Sequence, residues 1–510
     1  MSTTHHTTHD SGHDTGTRLH PDTLGGLDPS ISVPGYDRSR VRTGIVHLGV
    51  GGFHRAHQAM YVDRLLEQGV PGSEEWGITG VGVLPQDARM AEVLTEQQGL
   101  YTLVVKHADG SRDRRVVGSM VDYLHAPADP EAVLERMTDP ATRIVSLTVT
   151  EGGYHVNPVT GDFDDRDEGI QADLRGDAPP VTTFGFLTEA LARRRTAGTA
   201  PFTVMSCDNI QGNGHVAQRM VTAFATRRDA ELGAWIGEHV DFPSCMVDRI
   251  TPVTTDDDRE ELRRDTGLVD GWPVVCEDFT QWALEDRFAQ GRPAWEEAGV
   301  QVVEDVQPYE LMKLRLLNAS HQALCYLGYL AGHRYAHEVC QDELFAGFLL
   351  DYMEREGSPT LEPVPGVDLD AYRHQLVERF ANPEIRDTLA RLAAESSDRI
   401  PTWLVPVIAH NLAHDGEVRR SALVVAAWAR YAEGVDEQGE AIEVVDRRKD
   451  AVMERASRQG EEPLAFLEDR DLFDDLADQP RFTEPYLEAL ASLHEHGARA
   501  TLERWQADRA

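Results

Sequence analysis

The feature that most restricts the fold of this chain is the run Gly44-Ile-Val-His-Leu-Gly-Val-Gly-Gly-Phe-His-Arg-Ala-His57. A short apolar strand leads into Gly49, Gly51 and Gly52 and then into a helical pattern, with Ala59, Val62 and Leu66 on one face and Gly69 where a C-terminal cap belongs. Glycines between a strand and a helix let the backbone turn sharply and come close to a pyrophosphate, whose charge is favoured by the free N–H groups at the helix start. His54 replaces the third glycine of the usual G-x-G-x-x-G spacing, so a turn that binds nothing is also compatible with these residues. In the same arrangement an acidic residue after the second strand accepts from the adenosine ribose and repels a 2′-phosphate, which favours NAD over NADP. Asp87, just beyond the apolar run Gly77–Leu84, is the candidate, although it lies 38 residues after Gly49 where about 20 is usual. A solvated loop aspartate is the alternative. His47, His54 and His57 could suggest a metal, but a strand-turn-helix path points them in different directions.

Beyond Thr43, short apolar runs alternate with helical periodicity, the pattern of β-α-β units around a largely parallel sheet. Strands are predicted at Gly44–Gly49, Gly77–Leu84, Leu100–Lys106, Arg143–Val149, Thr203–Cys207 and Met246–Ile250. Helices are predicted near His54–Gln68, Pro130–Met137, Thr182–Ala197 and Gly214–Arg227. After Val303 the pattern is helical almost throughout, at Glu310–Leu330, Asp342–Glu354, Leu369–Arg379, Thr402–Ala413, Ser421–Ala432 and Pro485–His494. The expected organisation is a tail over residues 1–40, an α/β domain over 41–302 and a mainly α-helical domain over 303–510. The tail is predicted disordered because His5, His6, His9, His13 and His20 stand among Ser, Thr and Gly, with little apolar surface to bury.

Charge narrows the partners. The 510 residues carry 49 Lys and Arg against 87 Asp and Glu, a net charge of −38 spread along the chain. Such a field repels nucleic-acid phosphates and anionic lipid, so neither is expected as a partner. The longest apolar stretches, such as Ala422–Ala429, fall far short of the ~18 residues that a spanning helix needs. Residues 1–30 show neither the basic start nor the apolar block of a secretory signal, and a cytoplasmic protein is the expectation. Cys207, Cys245, Cys276, Cys325 and Cys340 are odd in number, widely spaced and without a C-x-x-C pair, which suggests neither disulfides nor structural zinc.

The sharpest chemical signal is Pro308-Tyr-Glu-Leu-Met-Lys-Leu-Arg-Leu-Leu-Asn-Ala-Ser-His321. On a regular helix at about 100° per residue, taking Lys313 as zero places Glu310 at roughly 60°, His321 at roughly 80° and Asn318 at roughly 140°. These polar groups share one broad face of a helix that is otherwise apolar nearly all round and should be buried. Left without partners they would cost several kcal/mol, so they satisfy one another or meet a polar ligand. A desolvated lysine is pushed toward its neutral form and suits a general base, an asparagine can donate to an oxygen developing charge, and His321 could hold a substrate hydroxyl. A polar cluster with only a structural role is the alternative.

Several long motifs follow one another: Gly49-Val-Gly-Gly-Phe-His-Arg-Ala-His-Gln58, Ser146-Leu-Thr-Val-Thr-Glu-Gly-Gly-Tyr154, Ser206-Cys-Asp-Asn-Ile-Gln-Gly-Asn-Gly214, Met246-Val-Asp-Arg-Ile-Thr-Pro252 and the Lys313, Asn318, His321 set. Through them the chain, from about Thr43 to its last helices, resembles the long-chain polyol dehydrogenases of the mannitol dehydrogenase family. The resemblance implies an α/β fold with a Rossmann-type N-terminal domain followed by a mainly α-helical C-terminal domain. It implies NAD at Gly49, Gly51, Gly52, Phe53 and Asp87, and zinc-independent hydride transfer in a cleft between the domains that interconverts D-mannitol and D-fructose. By the matching motifs Lys313 is the general base, Asn209 and Asn318 stabilise the alkoxide, His321 positions the reacting hydroxyl and Glu310 sits at a proton exit. Asp248 resembles a pocket carboxylate that accepts from sugar hydroxyls, and Arg391, in Arg391-Leu-Ala-Ala-Glu-Ser-Ser-Asp-Arg-Ile-Pro401, matches a substrate-contacting arginine. Arg399 stands where related mannitol dehydrogenases carry lysine, and a planar guanidinium grips a substrate differently from a point ammonium. The resemblance also favours a monomer. Alternatives on the same fold are a D-arabinitol dehydrogenase and a fructuronate reductase, the latter because Arg391 and Arg399 could hold a carboxylate. A nucleotide-binding protein without turnover is a more remote one.

Overall fold

A computed structural model of the chain describes residues 16–157 and 160–507. They divide into two compact units, one running to Lys106 and over Arg112–Val302, the other comprising His107–Ser111 and the chain from Val303 onward.

The first unit is built on five strands: β1 (Thr43–Leu48), β2 (Gly77–Gly82), β3 (Met120–His125), β4 (Ile144–Leu147) and β5 (Thr203–Ser206). They lie in the order β3-β2-β1-β4-β5, every neighbouring pair parallel. This is the Rossmann-type order, in which the sheet grows outward on both sides of β1 and leaves a crevice at the strand ends where the direction reverses. Alternation along the strands feeds two cores. Ile45, Ile78 and Ile144 pack on one face with Ala59, Val62 and Leu66, while Val46, Leu48, Val145, Leu147 and Val204 pack on the other with Leu134, Leu187 and Val221. Each such side chain taken fully out of water contributes about 1.5–3 kcal/mol, which is why these strands read as continuous apolar runs.

Two predicted strands belong to other sheets. Leu100–Lys106 is observed as Tyr101–Lys106, in a four-stranded sheet with Val274–Glu277, Arg112–Val117 and Ile31–Ser32. Met246–Ile250 is observed as Cys245–Asp248, paired antiparallel with Gln281–Glu285. Conversely, β3 is absent from the predicted set. It is an edge strand in which only Met120 and Tyr123 are buried, so it lacks the apolar run of its inner neighbours. The described part of the expected tail, residues 16–40, is folded. Thr17–Arg18 pairs in parallel with Leu268–Val269, Ile31–Ser32 pairs with Arg114–Arg115, and Leu19 and Ile31 are buried with Leu100, Val104 and Leu262. His20 accepts the Asp22 N–H at 3.2 Å and so caps the short helix Pro21–Gly26. Leu24, Leu27 and Val33 pack against the same cluster, and an averaged composition hides these apolar anchors. His5, His6, His9 and His13 lie outside the described residues.

The second unit is a bundle of helices. Ala422–Ala429 is the wholly buried centre of the helix Arg419–Tyr431, which packs on Ala319–Leu330 and on Pro480–Ala507. Among the described residues no helix is long and apolar enough to cross a membrane. The predicted helix Thr402–Ala413 is two, Ser396–Trp403 and Val405–Ala413, because Pro406 has no N–H to carry the first helix onward. All five cysteines are buried and free.

Candidate active site

Gly49 opens the turn after β1 with a φ of +89°, and a Cβ there would fall 2.3 Å from the Thr148 carbonyl oxygen. The fold itself demands that glycine. Gly51 is another matter, since an added Cβ would meet nothing nearer than Gly49 O at 4.0 Å. Gly52 would make only ordinary contacts with Thr251 and Val274, at 3.5 and 3.6 Å. The backbone at Gly51 therefore borders open space at the C-terminal end of β1, where this strand order places a pyrophosphate, and the residues present fit a dinucleotide. The single predicted helix His54–Gln68 is broken at His57 (φ −125°, ψ −95°) into α1 (Gly52–Ala56) and α2 (Gln58–Glu67). Phe53 is half-buried and stacks on His57 with ring centroids 4.9 Å apart.

Histidines brace this turn from beneath. Thr148 Oγ1 donates to Gly49 O at 2.7 Å and lies 2.9 Å from His47 Nε2. Burial keeps the His47 ring neutral, with its pKa pulled down to about 3; its Nδ1 lies 2.8 Å from Ser146 Oγ, which donates to Gln58 Oε1 at 2.8 Å. His54 stacks on His47 at 3.4 Å, and both its ring nitrogens are buried without hydrogen-bond partners. Burial, then the neighbouring His47 and Arg55, hold its pKa well below the usual value.

The loop after β4 is strained. Thr150 adopts a φ of +62°, rare for a β-branched residue. Asp208, two residues past β5, holds it there by accepting from Val149 N at 3.1 Å, Thr150 N at 2.9 Å and Tyr154 Oη at 2.7 Å. Burial raises the pKa of this carboxyl against the pull of those donors. Asn209 follows and is exposed. The C-terminal ends of β1, β4 and β5 thus carry Gly49, Thr150 and Asn209, tied together through Thr148 and Asp208.

Asp87 lies five residues beyond β2 and is half-buried. Its Oδ2 accepts the Leu84 N–H at 2.9 Å, and Gly82 admits it closely, since a Cβ there would stand 2.7 Å from Asp87 Cβ. Asp248 is buried at the end of Cys245–Asp248. The adjoining Arg249 donates to Ala56 O at 2.7 Å and to Glu277 O at 2.9 Å, which fixes the Asp248 strand to the end of α1.

In the second unit Glu310, Lys313 and Asn318 are all buried. The helix that carries them is not regular. Gln307–Met312 is α-helical, Lys313–Asn318 is π-helical, and Ala319–Leu330 is α-helical again. A turn closed by i→i+5 bonds brings residues five apart nearer to a common side than an α-turn does, so Asn318 stands closer to the Lys313 face than a regular wheel puts it. The Asn318 Nδ2 donor is buried with no acceptor. His321 packs its ring on Phe380 at 4.7 Å. Burial, then Arg391, Arg399, Arg379 and Lys313, drive its pKa well below the usual value, so it is a neutral hydrogen-bonding group. Arg391 is bound bidentately by Asp387, at 2.6 and 2.5 Å. Arg399 donates to Arg391 O at 3.1 Å and Leu392 O at 2.8 Å and lies against the Trp403 ring. Among the described residues no group of three or more His, Cys, Asp or Glu is placed to hold a metal ion.

The family profile of the mannitol dehydrogenase Rossmann domain matches residues 43–297, and that of the mannitol dehydrogenase C-terminal domain matches residues 305–494. The chain belongs to the mannitol dehydrogenase family. It is 47% identical over 492 residues to a mannitol 2-dehydrogenase of Phaeosphaeria nodorum, covering 96% of this chain and 85% of that one. The structure of Pseudomonas fluorescens mannitol 2-dehydrogenase in ternary complex with NAD and D-mannitol is similar with a TM-score of 0.88 and 42% identity, over 96% of this chain and 100% of that one. A substrate-free D-sorbitol dehydrogenase is similar with the same TM-score of 0.88 and 38% identity, over 95% and 100% of the two chains.

Within this member of the mannitol dehydrogenase family, the structure groups the expected residues unit by unit. Gly49, Gly51, Gly52, Phe53, Asp87, Asn209 and Asp248 belong to the first unit, and Glu310, Lys313, Asn318, His321, Arg391 and Arg399 to the second. Sequence reasoning misses the residues behind them: His47 and Thr148 under Gly49, Asp208 and Tyr154 under Thr150. Thr148, Tyr154 and Asp208 stand inside the motifs that carry the family resemblance and His47 two residues before the first of them, but nothing in a linear motif says which side chain bonds which loop.

Proposed function

We propose that this family member is an NAD-dependent polyol 2-dehydrogenase, acting on D-mannitol and D-fructose as a monomer, with Lys313 as general base and without zinc. The observation that carries the reading is the Nδ2 donor of Asn318, buried and without an acceptor in the same π segment as the buried Lys313. A buried donor left unmade costs about 1–3 kcal/mol, and an alcohol oxygen that gains negative charge is the partner that offsets it. The likeness to the Pseudomonas fluorescens enzyme, whose ternary complex holds NAD and D-mannitol, supports the choice of cofactor and substrate. NAD bound over Gly49–Gly52 supplies the hydride acceptor. Lys313 takes the hydroxyl proton, Asn318 and Asn209 donate to the developing alkoxide, and neutral His321 orients the hydroxyl. Glu310, one turn before Lys313, passes the proton on, and Asp248 and Arg391 bind the remaining hydroxyls.

Lys313→Ala tests the base. A general base contributes about 10²–10⁴ in rate, so turnover falls by that factor while NADH binding, read by fluorescence titration, stays within twofold. Unchanged turnover would refute the role. Zinc independence predicts full activity after exhaustive dialysis against EDTA, and sedimentation velocity checks the monomer. D-sorbitol is the second reading, because the D-sorbitol dehydrogenase structure matches the chain with the same TM-score. Initial rates with D-mannitol, D-sorbitol and D-arabinitol decide among the polyols. A uronate is disfavoured, since the fork of Arg391 that would hold a carboxylate is already taken by Asp387.

A further inference from the structure

The π segment requires its own support. In a regular helix the Arg315 carbonyl would accept the Ala319 N–H, but that N–H is directed to Leu314 O and Leu316 O instead. A buried carbonyl that loses its amide needs another donor. Tyr352 supplies one, its hydroxyl donating to Arg315 O at 3.1 Å. Tyr352 is fully buried, and burial, then the nearby Glu356, raise its pKa well above the usual phenol value, so it keeps its proton.

Tyr352 ends the α-helix Glu343–Tyr352 and is followed by a second π segment, Met353–Gly357. That segment lies tightly against the first. A Cβ on Gly357 would stand 2.8 Å from Leu316 Cδ2 and 3.2 Å from Arg315 O. Two further bonds close the brace: Arg315 Nη1 donates to Thr360 O at 2.5 Å, and Thr360 Oγ1 donates to Gly357 O at 2.6 Å. Both ends of Arg315, its carbonyl and its guanidinium, are thus held by residues 352–360.

We infer that Tyr352 and Gly357 are positioning residues for the reaction, holding Lys313–Asn318 in π register and so fixing where the Lys313 amine and the Asn318 amide stand. The inference rests on the reading of Lys313 as base. Without the Tyr352 hydroxyl, the Ala319 N–H and Arg315 carbonyl gain by pairing as in an α-helix. The segment then turns Asn318 away from Lys313 while the fold around it persists.

Tyr352→Phe, which deletes only the hydroxyl, tests this against Leu493→Ala, a buried change in the Pro480–Ala507 helix. Small misplacements of reacting groups cost up to about 100-fold. Tyr352→Phe is therefore expected to lower kcat for D-mannitol by about 10–100-fold. The limb of the pH–kcat/KM profile set by the base should move, while KM and the NADH dissociation constant stay within twofold. Leu493→Ala, at a matched loss of Tm, should keep kcat. A Tyr352→Phe kcat within twofold of wild type, or no lower than that of Leu493→Ala, would overturn the inference. If Tyr352→Phe does not fold, Gly357→Ala, which presses on Leu316, carries the same readouts. Lys313→Ala separates the two claims. Turnover retained in that variant defeats the base assignment, whereas turnover lost there but kept in Tyr352→Phe defeats only the positioning role.

Discussion

Gly49 and Gly51 are two residues apart in one motif, yet the structure assigns them different tasks, and replacing each by alanine should give opposite results. At Gly49 the new Cβ would fall 2.3 Å from Thr148 O, against a floor of 3.0 Å for real contacts, so 3.0 − 2.3 requires a shift of 0.7 Å. The carbonyl cannot give way freely, because Thr148 is tied to Leu48 O through its N–H at 3.1 Å and to Gly49 O through its hydroxyl at 2.7 Å. A positive φ costs a residue with a Cβ about 1–2 kcal/mol, and overpacking adds about 1–3 kcal/mol. Gly49→Ala should therefore lose about 2–5 kcal/mol, or about 4–20 °C in Tm for a unit of this size. At Gly51 the Cβ would meet only Gly49 O, at 4.0 Å. Gly51→Ala should leave stability within about 0.5 kcal/mol, yet weaken NADH binding at least about tenfold, equivalent to about 1.4 kcal/mol. Urea unfolding and NADH fluorescence titration of both variants measure this. A Gly49→Ala protein as stable as wild type, or a Gly51→Ala protein that loses stability and not affinity, would refute the division of labour.

Asp87→Ala should relax discrimination against NADP by about tenfold or more through loss of the ribose acceptor and its charge, read as the ratio of kcat/KM with the two cofactors; an unchanged ratio moves the selectivity elsewhere. Acid should weaken the fold through the buried histidines. His47 in the folded protein takes a proton only near pH 3, against 6.5 for the free side chain, so its stabilising share is whole above pH 6.5 and lost as pH falls through this window. At about 1.4 kcal/mol per pH unit, His47 alone should remove about 2 kcal/mol between pH 6.5 and 5, and His54, whose pKa burial also lowers, acts in the same direction. His47→Gln should flatten that dependence in urea melts, and an equal slope in both proteins would contradict the reasoning.

Much of the first unit is legible from residues alone. The apolar runs at β1, β2, β4 and β5 announce inner parallel strands because both faces are covered, and the glycine run marks where the sheet turns to a helix. The edge strand β3 does not announce itself, since four of its six side chains are in contact with solvent and its pattern is that of a loop. The anchors Leu19 and Ile31 are similarly hidden by their polar surroundings. In the second unit the buried polar set is readable from its composition, but a wheel drawn at constant pitch misplaces Asn318. The choice between α and π register is made by a tyrosine hydroxyl on another helix, and local spacing carries no trace of it. Asp208 stays hidden for the same reason, because its bonds reach back across some sixty residues to Val149 and Thr150.

Thr150, with its positive φ, stores about 1–3 kcal/mol of conformational strain that Asp208 restrains. Thermal stability and a fixed loop conformation therefore pull in contrary directions at this one position. A library screened only for survival at high temperature would be drawn toward glycine here, and the survivors would carry a slacker loop after β4.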